Sequence, residues 1–123
     1  MLEIGSGCGY ALALLSVLVS QAYGVEIEKV LAEKSRKTLK WLNIHDAEVV
    51  CGDGYEGYSA GAPYDAILLS AAPDKLPETL FTQLRSGGKM VLPVGKFNQL
   101  LELYEKKAGK WQRKVLTKCV LFP

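Results

Sequence analysis

The feature that most constrains this chain lies at its start, where apolar Leu2-Glu3-Ile4 runs straight into Gly5-Ser6-Gly7-Cys8-Gly9 and then an Ala/Leu-rich stretch from Tyr10 to about Ser20. Strand, glycine loop and helix in that order open a sheet of the α/β class, and ligands in such sheets bind beyond the carboxyl ends of the strands. Ala22 to Ile27 predicts a second strand. Glu28 to Asn43 predicts a helix with Leu31, Leu39 and Leu42 on its apolar face and Glu33, Lys34, Arg36, Lys37 and Lys40 toward water. Glu48 to Cys51 reads as a third strand, followed by a long glycine-rich loop to Pro63. Tyr64 to Ser70 reads as a fourth strand, Pro77 to Arg85 as a short helix, and Lys89 to Val94 as a fifth strand after Ser86-Gly87-Gly88. The rhythm then changes. Gln99 to Glu105 and Trp111 to Leu121 alternate with period two around Lys106-Lys107-Ala108-Gly109-Lys110, as an antiparallel hairpin does. The expected fold class is α/β, Rossmann-like, with a mainly parallel sheet and a C-terminal antiparallel hairpin, forming one domain over residues 1–123.

Composition supports that scale. The 123 residues are 49% hydrophobic and 23% charged with a net charge of +2, enough for one core and one domain. No apolar run reaches the ~18 residues of a membrane-spanning helix, and no basic leader precedes the first strand, so the expected compartment is cytoplasmic, without membrane association. Cys8, Cys51 and Cys119 have no paired spacing, so neither a disulfide framework nor a metal site is expected; they read as reduced and mostly buried. Residues 96 to 123 carry +5 and the rest −3. A basic tail can meet nucleic acid or an acidic partner, but its alternation with apolar residues suits solvated positions on an edge hairpin.

The glycine loop narrows the ligand. A phosphate-binding loop needs Lys and then Ser or Thr after its last glycine, whereas Tyr10-Ala11 follows Gly9. A dinucleotide fingerprint needs a sixth-position glycine, and Tyr10 stands there, which weakens that reading without removing it. Glu3-x-Gly5-x-Gly7-x-Gly9 fits S-adenosylmethionine, whose methionine end is a zwitterion and which has no pyrophosphate. Glu3 suits its ammonium group, and the loop Gly5, Ser6, Gly7 and Gly9 offers close backbone approach and amide donors for its carboxylate. Glu26, seventeen residues after Gly9, suits the ribose hydroxyls, and Asp53-Gly54 past the third strand suits the adenine amino group. Asp65, at the start of its strand, is as well explained by a structural role as by ligand contact. His45 reads as a surface histidine, and Trp41 and Trp111 as packing residues. Ser70-Ala71-Ala72-Pro73 would face the transferred methyl. It lacks the Asn-Pro-Pro-aromatic or Asp-Pro-Pro-aromatic segment of enzymes that methylate base amines, which argues against nucleic acid as acceptor.

Taken together, Glu3 to Tyr10, Gly52-Asp53-Gly54, Ala62-Pro63-Tyr64-Asp65-Ala66-Ile67, Ala71-Ala72-Pro73, Gln83-Leu84-Arg85-Ser86-Gly87-Gly88 and Leu92-Pro93-Val94-Gly95 resemble the protein-L-isoaspartate O-methyltransferase family. The resemblance implies methyl transfer from S-adenosylmethionine to the carboxylate of isoaspartyl residues in damaged peptides and proteins, a repair function, by a monomer. It also implies an N-terminally truncated member. The family carries a Thr-Ile-Ser-Ala-Pro-His-like stretch before the glycine motif, and its active-site hydroxyl residue would lie upstream of Met1; the family's aromatic-Val-Pro-Leu segment is matched only loosely around Phe122-Pro123. Two other readings stand beside it: a cofactor-binding fragment without catalysis, and a small-molecule methyltransferase resting on the glycine motif alone.

Overall fold

The structure, a computed structural model, describes residues 1 to 119. Ten elements follow in order: β1 Leu2–Ile4, α1 Tyr10–Leu18, β2 Ala22–Glu26, α2 Lys29–Trp41, β3 Ala47–Cys51, β4 Tyr64–Leu69, α3 Glu78–Gln83, β5 Leu84–Val94, β6 Gln99–Lys107 and β7 Lys110–Cys119. The strands form one sheet in the order β3-β2-β1-β4-β5-β6-β7. Pairing is parallel from β3 to β5 and antiparallel from β5 to β7, as the alternation of strands and helices followed by a hairpin requires. The chain winds outward from β1 through β2 to β3, then returns to place β4 on the other side of β1. That reversal leaves a crevice at the carboxyl end of β1.

Side chains an odd number of positions apart on a strand face opposite sides of the sheet. Ala22 and Val25 of β2 divide this way. Ala22 joins Leu12, Ala32, Leu39 and Val49 under α1 and α2, while Val25 joins Leu2, Ile67, Leu69, Leu80, Met90 and Leu92 on the face that α3 covers. The buried positions of α2 are Ala32, Ser35 and Leu39, while Leu31 and Leu42 are exposed, so the expected leucine face is shifted by one position. The cause is close approach. A Cβ on Gly9, at the α1 N-cap, would lie 2.9 Å from the Ser35 Cβ, and only small residues allow that contact.

Other expectations change for local reasons. β5 begins at Leu84, which pairs with Tyr64, so Ser86-Gly87-Gly88 forms an irregularity inside the strand rather than a break before it. The hairpin strands extend to Lys107 and Lys110, because Ala108 and Gly109 both have positive φ, as a two-residue type I′ turn requires. The expected end of that strand at Leu121 lies outside the described residues, as does the Cys119 side chain.

Trp111 packs as expected, stacked 3.8 Å from Phe81 and edge-on to Tyr104, whereas Trp41 is 84% exposed. Lys106 is not simply solvated: its Nζ donates to the Phe81 and Leu84 carbonyls at the end of α3 and lies over the Phe81 ring. Cys8 and Cys51 are free and exposed rather than buried: Cys8 stands within the glycine loop and Cys51 at the end of the edge strand β3. No helix of the described residues is long and apolar enough to cross a membrane.

The Gly9 contact gives a direct test. Gly9→Ala places a Cβ against Ser35 at φ 86° and is expected to cost about 2 kcal/mol or more of stability by chemical denaturation. Pairing it with Ser35→Gly relieves the clash, so the double variant is expected to lose less than the two single losses combined; strict additivity would refute the contact.

Candidate functional site

A cavity of about 560 Å³ opens at the carboxyl ends of β1, β2 and β4, within the range of small-molecule sites. Its walls come from four loops. The loop after β1 contributes Ile4 and Gly5, that after β2 contributes Glu26, Ile27 and Glu28, that after β3 contributes Asp53, Gly54 and Tyr55, and that after β4 contributes Ser70, Ala71, Ala72 and Pro73. Leu31, Leu69, Pro77 and Leu80 add apolar surface. A largely apolar cavity with three carboxylates on its wall suits a ligand that joins a flat apolar ring to hydroxyl and cationic groups.

The glycine loop does more internal work than its sequence suggests. Gly5 N–H and Ser6 N–H donate to the Val25 carbonyl, and Gly9 N–H donates to Ser6 O, which folds the loop back onto β2. Gly7 N–H donates to Glu26 Oε1 at 2.8 Å, and Glu28 N–H donates to Glu26 Oε2 at 2.7 Å. Glu26 is 6% exposed, so both its oxygens are held by charge-assisted bonds that fix its direction along the cavity wall. Asp53 is exposed and caps the short turn Gly54–Glu56, with Oδ1 accepting from Tyr55 N–H at 2.9 Å. Among the described residues its Oδ2 has no partner.

Two hydrogen bonds shape the opposite wall. Ser70 Oγ donates to Glu3 Oε2 at 3.0 Å, and Asp74 N–H donates to the Tyr55 hydroxyl at 2.8 Å. The segment between them is thus tied to β1 at one end and to the Asp53 loop at the other. That loop is in turn clamped by Gln83, which accepts from Tyr58 N–H and donates to Glu56 O.

Of the residues singled out from sequence, Gly5, Glu26, Asp53, Gly54, Ser70, Ala71, Ala72 and Pro73 line the cavity. Glu3 does not. It is 1% exposed within β1, its Oε1 has no hydrogen-bond partner, and burial raises its carboxyl above the usual carboxylate range while the Ser70 bond opposes that shift. Ser6 is also buried, with its hydroxyl against Gly24, where a Cβ would sit 2.8 Å from the Ser6 Cβ. Gly7 acts through its amide and Gly9 through packing. Gly54 is a true close approach, since a Cβ there would collide with Ile4 Cγ2. Asp65 lies away from the cavity and pairs with Arg85, and His45 is exposed beside Asn43. Glu28, Ile27, Leu31 and Tyr55 line the cavity without having been singled out. Glu28 carried a readable signal, as a carboxylate two residues past Glu26 at the α2 N-cap. The described residues hold no group of three metal-capable side chains.

Comparison with known proteins follows the same lines. The family model described as protein-L-isoaspartate(D-aspartate) O-methyltransferase (PCMT) matches residues 1–123. A protein-L-isoaspartate O-methyltransferase of Picosynechococcus sp. is 45% identical over 106 residues, covering 86% of this chain and 48% of its own length. A solved protein-L-isoaspartate O-methyltransferase superposes with a TM-score of 0.93 at 32% identity, over 98% of this chain and 40% of that one. A Plasmodium falciparum chain described as a beta-aspartate methyltransferase, in complex with S-adenosyl-L-homocysteine, superposes with a TM-score of 0.80 at 24% identity, over 98% of this chain and 62% of its own, which shows shared fold. The chain spans about half the length of the curated relatives it matches.

The raised pKa of Glu3 predicts a pH signature. A carboxyl that binds its proton more tightly when folded makes the native state less stable as pH rises from the ordinary carboxylate value through the folded one. Glu3→Gln removes that penalty. The variant is expected to gain stability relative to the parent at neutral pH, with the gain vanishing below about pH 4 in parallel melts. A gain independent of pH would contradict a buried ionised Glu3.

Proposed function

The chain belongs to the protein-L-isoaspartate(D-aspartate) O-methyltransferase family, and we propose that residues 1–123 form one domain that binds S-adenosylmethionine and presents its methyl group to the carboxylate of isoaspartyl residues in damaged proteins. The observation that carries this reading is the arrangement of one cavity: Glu26 and Asp53 on one wall, and the small segment Ser70-Ala71-Ala72-Pro73 on the other.

The residues fit such a ligand. Glu26, held by two amides, still offers lone pairs to a pair of ribose hydroxyls, and the unpartnered Asp53 oxygen offers an acceptor to an exocyclic amine. Gly5 leaves the backbone open where a ligand would approach, and Gly54 lets Ile4 pack closely beneath the same wall. The buried Glu3 carboxyl lies behind Ser70 and holds that residue in place by accepting its hydroxyl. S-adenosylmethionine, when bound, supplies a methyl group on a sulfonium, a good leaving group.

Transfer to a carboxylate is a direct displacement. An acceptor with a pKa of ~4 is ionised at neutral pH, so no side chain has to remove a proton. The work left to the protein is alignment and exclusion of water around two opposite charges that neutralise as the bond forms. Small side chains at Ala71 and Ala72, fixed by the bonds at Ser70 and Asp74, leave the acceptor room to approach.

Calorimetry with S-adenosylhomocysteine tests the binding half. Asp53→Ala and Glu26→Gln are each expected to weaken binding about 10- to 100-fold, the value of a hydrogen bond to a charged group. Absence of binding by the parent chain would overturn the reading. Methyl incorporation into an isoaspartyl peptide tests the transfer half separately, because the chain spans about half of its relatives' length. Binding without incorporation would favour a cofactor-binding unit that does not catalyse by itself.

A further inference from the structure

Ala72 and Pro73 line two cavities, not one. The second, of about 520 Å³, opens between the segment 72–76 and the adjoining ends of β5 and β6, with Leu92, Val94 and Tyr104 among its apolar lining. A third cavity of about 580 Å³, between α2 and β3, touches none of these residues. Two ligands held in the first and second cavities would meet across a wall of two small residues.

The second cavity carries a charge that the first does not. Lys75 and Lys96 both line it and both are exposed, and among the described residues neither makes an ion pair or a side-chain hydrogen bond. One carboxylate, Asp74, stands with them in the lining. Glu102 lies nearby on β6, opposite Leu92, but it is buried and neutralised by Arg113. The cavity thus combines an apolar floor with two uncommitted cations at its rim.

We propose that this second cavity receives the segment of the acceptor peptide beside the methylated residue, and that Lys75 and Lys96 favour peptides with Asp or Glu there. The proposal rests on the methyltransferase reading above. It follows from position: a carboxylate reaching the first cavity past Ala72 and Pro73 leaves its flanking residues over the adjoining one. Exposed lysines attract flanking carboxylates by a screened Coulomb interaction, which discriminates between peptides without taking part in the transfer.

The test uses two fluorescein-labelled isoaspartyl peptides of equal length, one with Asp and Glu beside the isoaspartyl residue and one with Lys there. Binding is followed by anisotropy in saturating S-adenosylhomocysteine. The acidic peptide is expected to bind roughly tenfold more tightly at low salt, with the gap closing near about 0.5 M salt. Lys75→Glu combined with Lys96→Glu is expected to reverse the order while leaving the melting temperature and S-adenosylhomocysteine affinity unchanged. Equal binding of the two peptides, an unchanged preference in the double variant, or no peptide binding by a chain that does bind S-adenosylhomocysteine would each overturn the proposal and leave the cofactor reading standing. Failure to bind S-adenosylhomocysteine would remove both.

Discussion

The carboxylate of Glu26 accepts one backbone amide on each oxygen, Gly7 N–H from the loop after β1 and Glu28 N–H from the start of α2, and it does so while almost wholly removed from water. Such a group is costly to bury unless both oxygens are satisfied, and here the satisfaction comes from the two loops that frame the cavity. The glycine loop therefore cannot drift relative to α2 without stranding a charge. The positive φ values at Gly5, Gly7 and Gly9 let the loop fold back far enough to make this bond, and the Gly9 contact with Ser35 sets how closely α1 and α2 approach. Cavity shape and helix packing share one constraint.

Much of this was readable from the chain. The order of strands and helices follows from apolar runs broken by glycine, and the change to an antiparallel hairpin follows from the change of period at Gln99. The cavity-lining acids Glu26 and Asp53 were legible because several carboxylates fall together at the ends of predicted parallel strands, where a ligand binds. Their second duties were not. That Glu26 also ties two loops and that Asp53 caps a turn depend on amides whose direction is set by tertiary folding. Glu3, expected from its place at a strand end to meet an ammonium group, stands inside the three-residue strand and accepts from Ser70, a burial that sequence position does not reveal.

The shift of the buried face on α2 has a physical source. Sequence period tells which residues share a face but not how far the face lies from its neighbour. On α2 the close contact at Ser35 favours the row Ala32, Ser35 and Leu39 and turns Leu31 toward the cavity. On α1 the same ambiguity is greater, since Tyr10, Leu14, Val17 and Leu18 are exposed on a helix with hardly a polar residue. An apolar stripe of this kind carries no information about direction until its neighbours are known.

The segment from Ser70 to Pro73 shows how a reaction without proton transfer shifts the burden of specificity. Where an acid or a base must act, its position largely defines the site. In the proposed reaction the acceptor arrives already charged, so discrimination would depend on which peptide can place its carboxylate against the wall. The wall itself offers little to recognise, being two alanines and a proline beside one serine whose hydroxyl is committed to Glu3. Its contribution is rigidity and small size, secured by the Glu3 bond at one end and the Tyr55 bond at the other. Selectivity must then come from the surfaces that adjoin the wall. On that reading a residue there would change the preferred acceptor with little effect at Glu26, which is anchored through its own pair of amide hydrogen bonds, whereas Asp53 is linked to the wall through Tyr55.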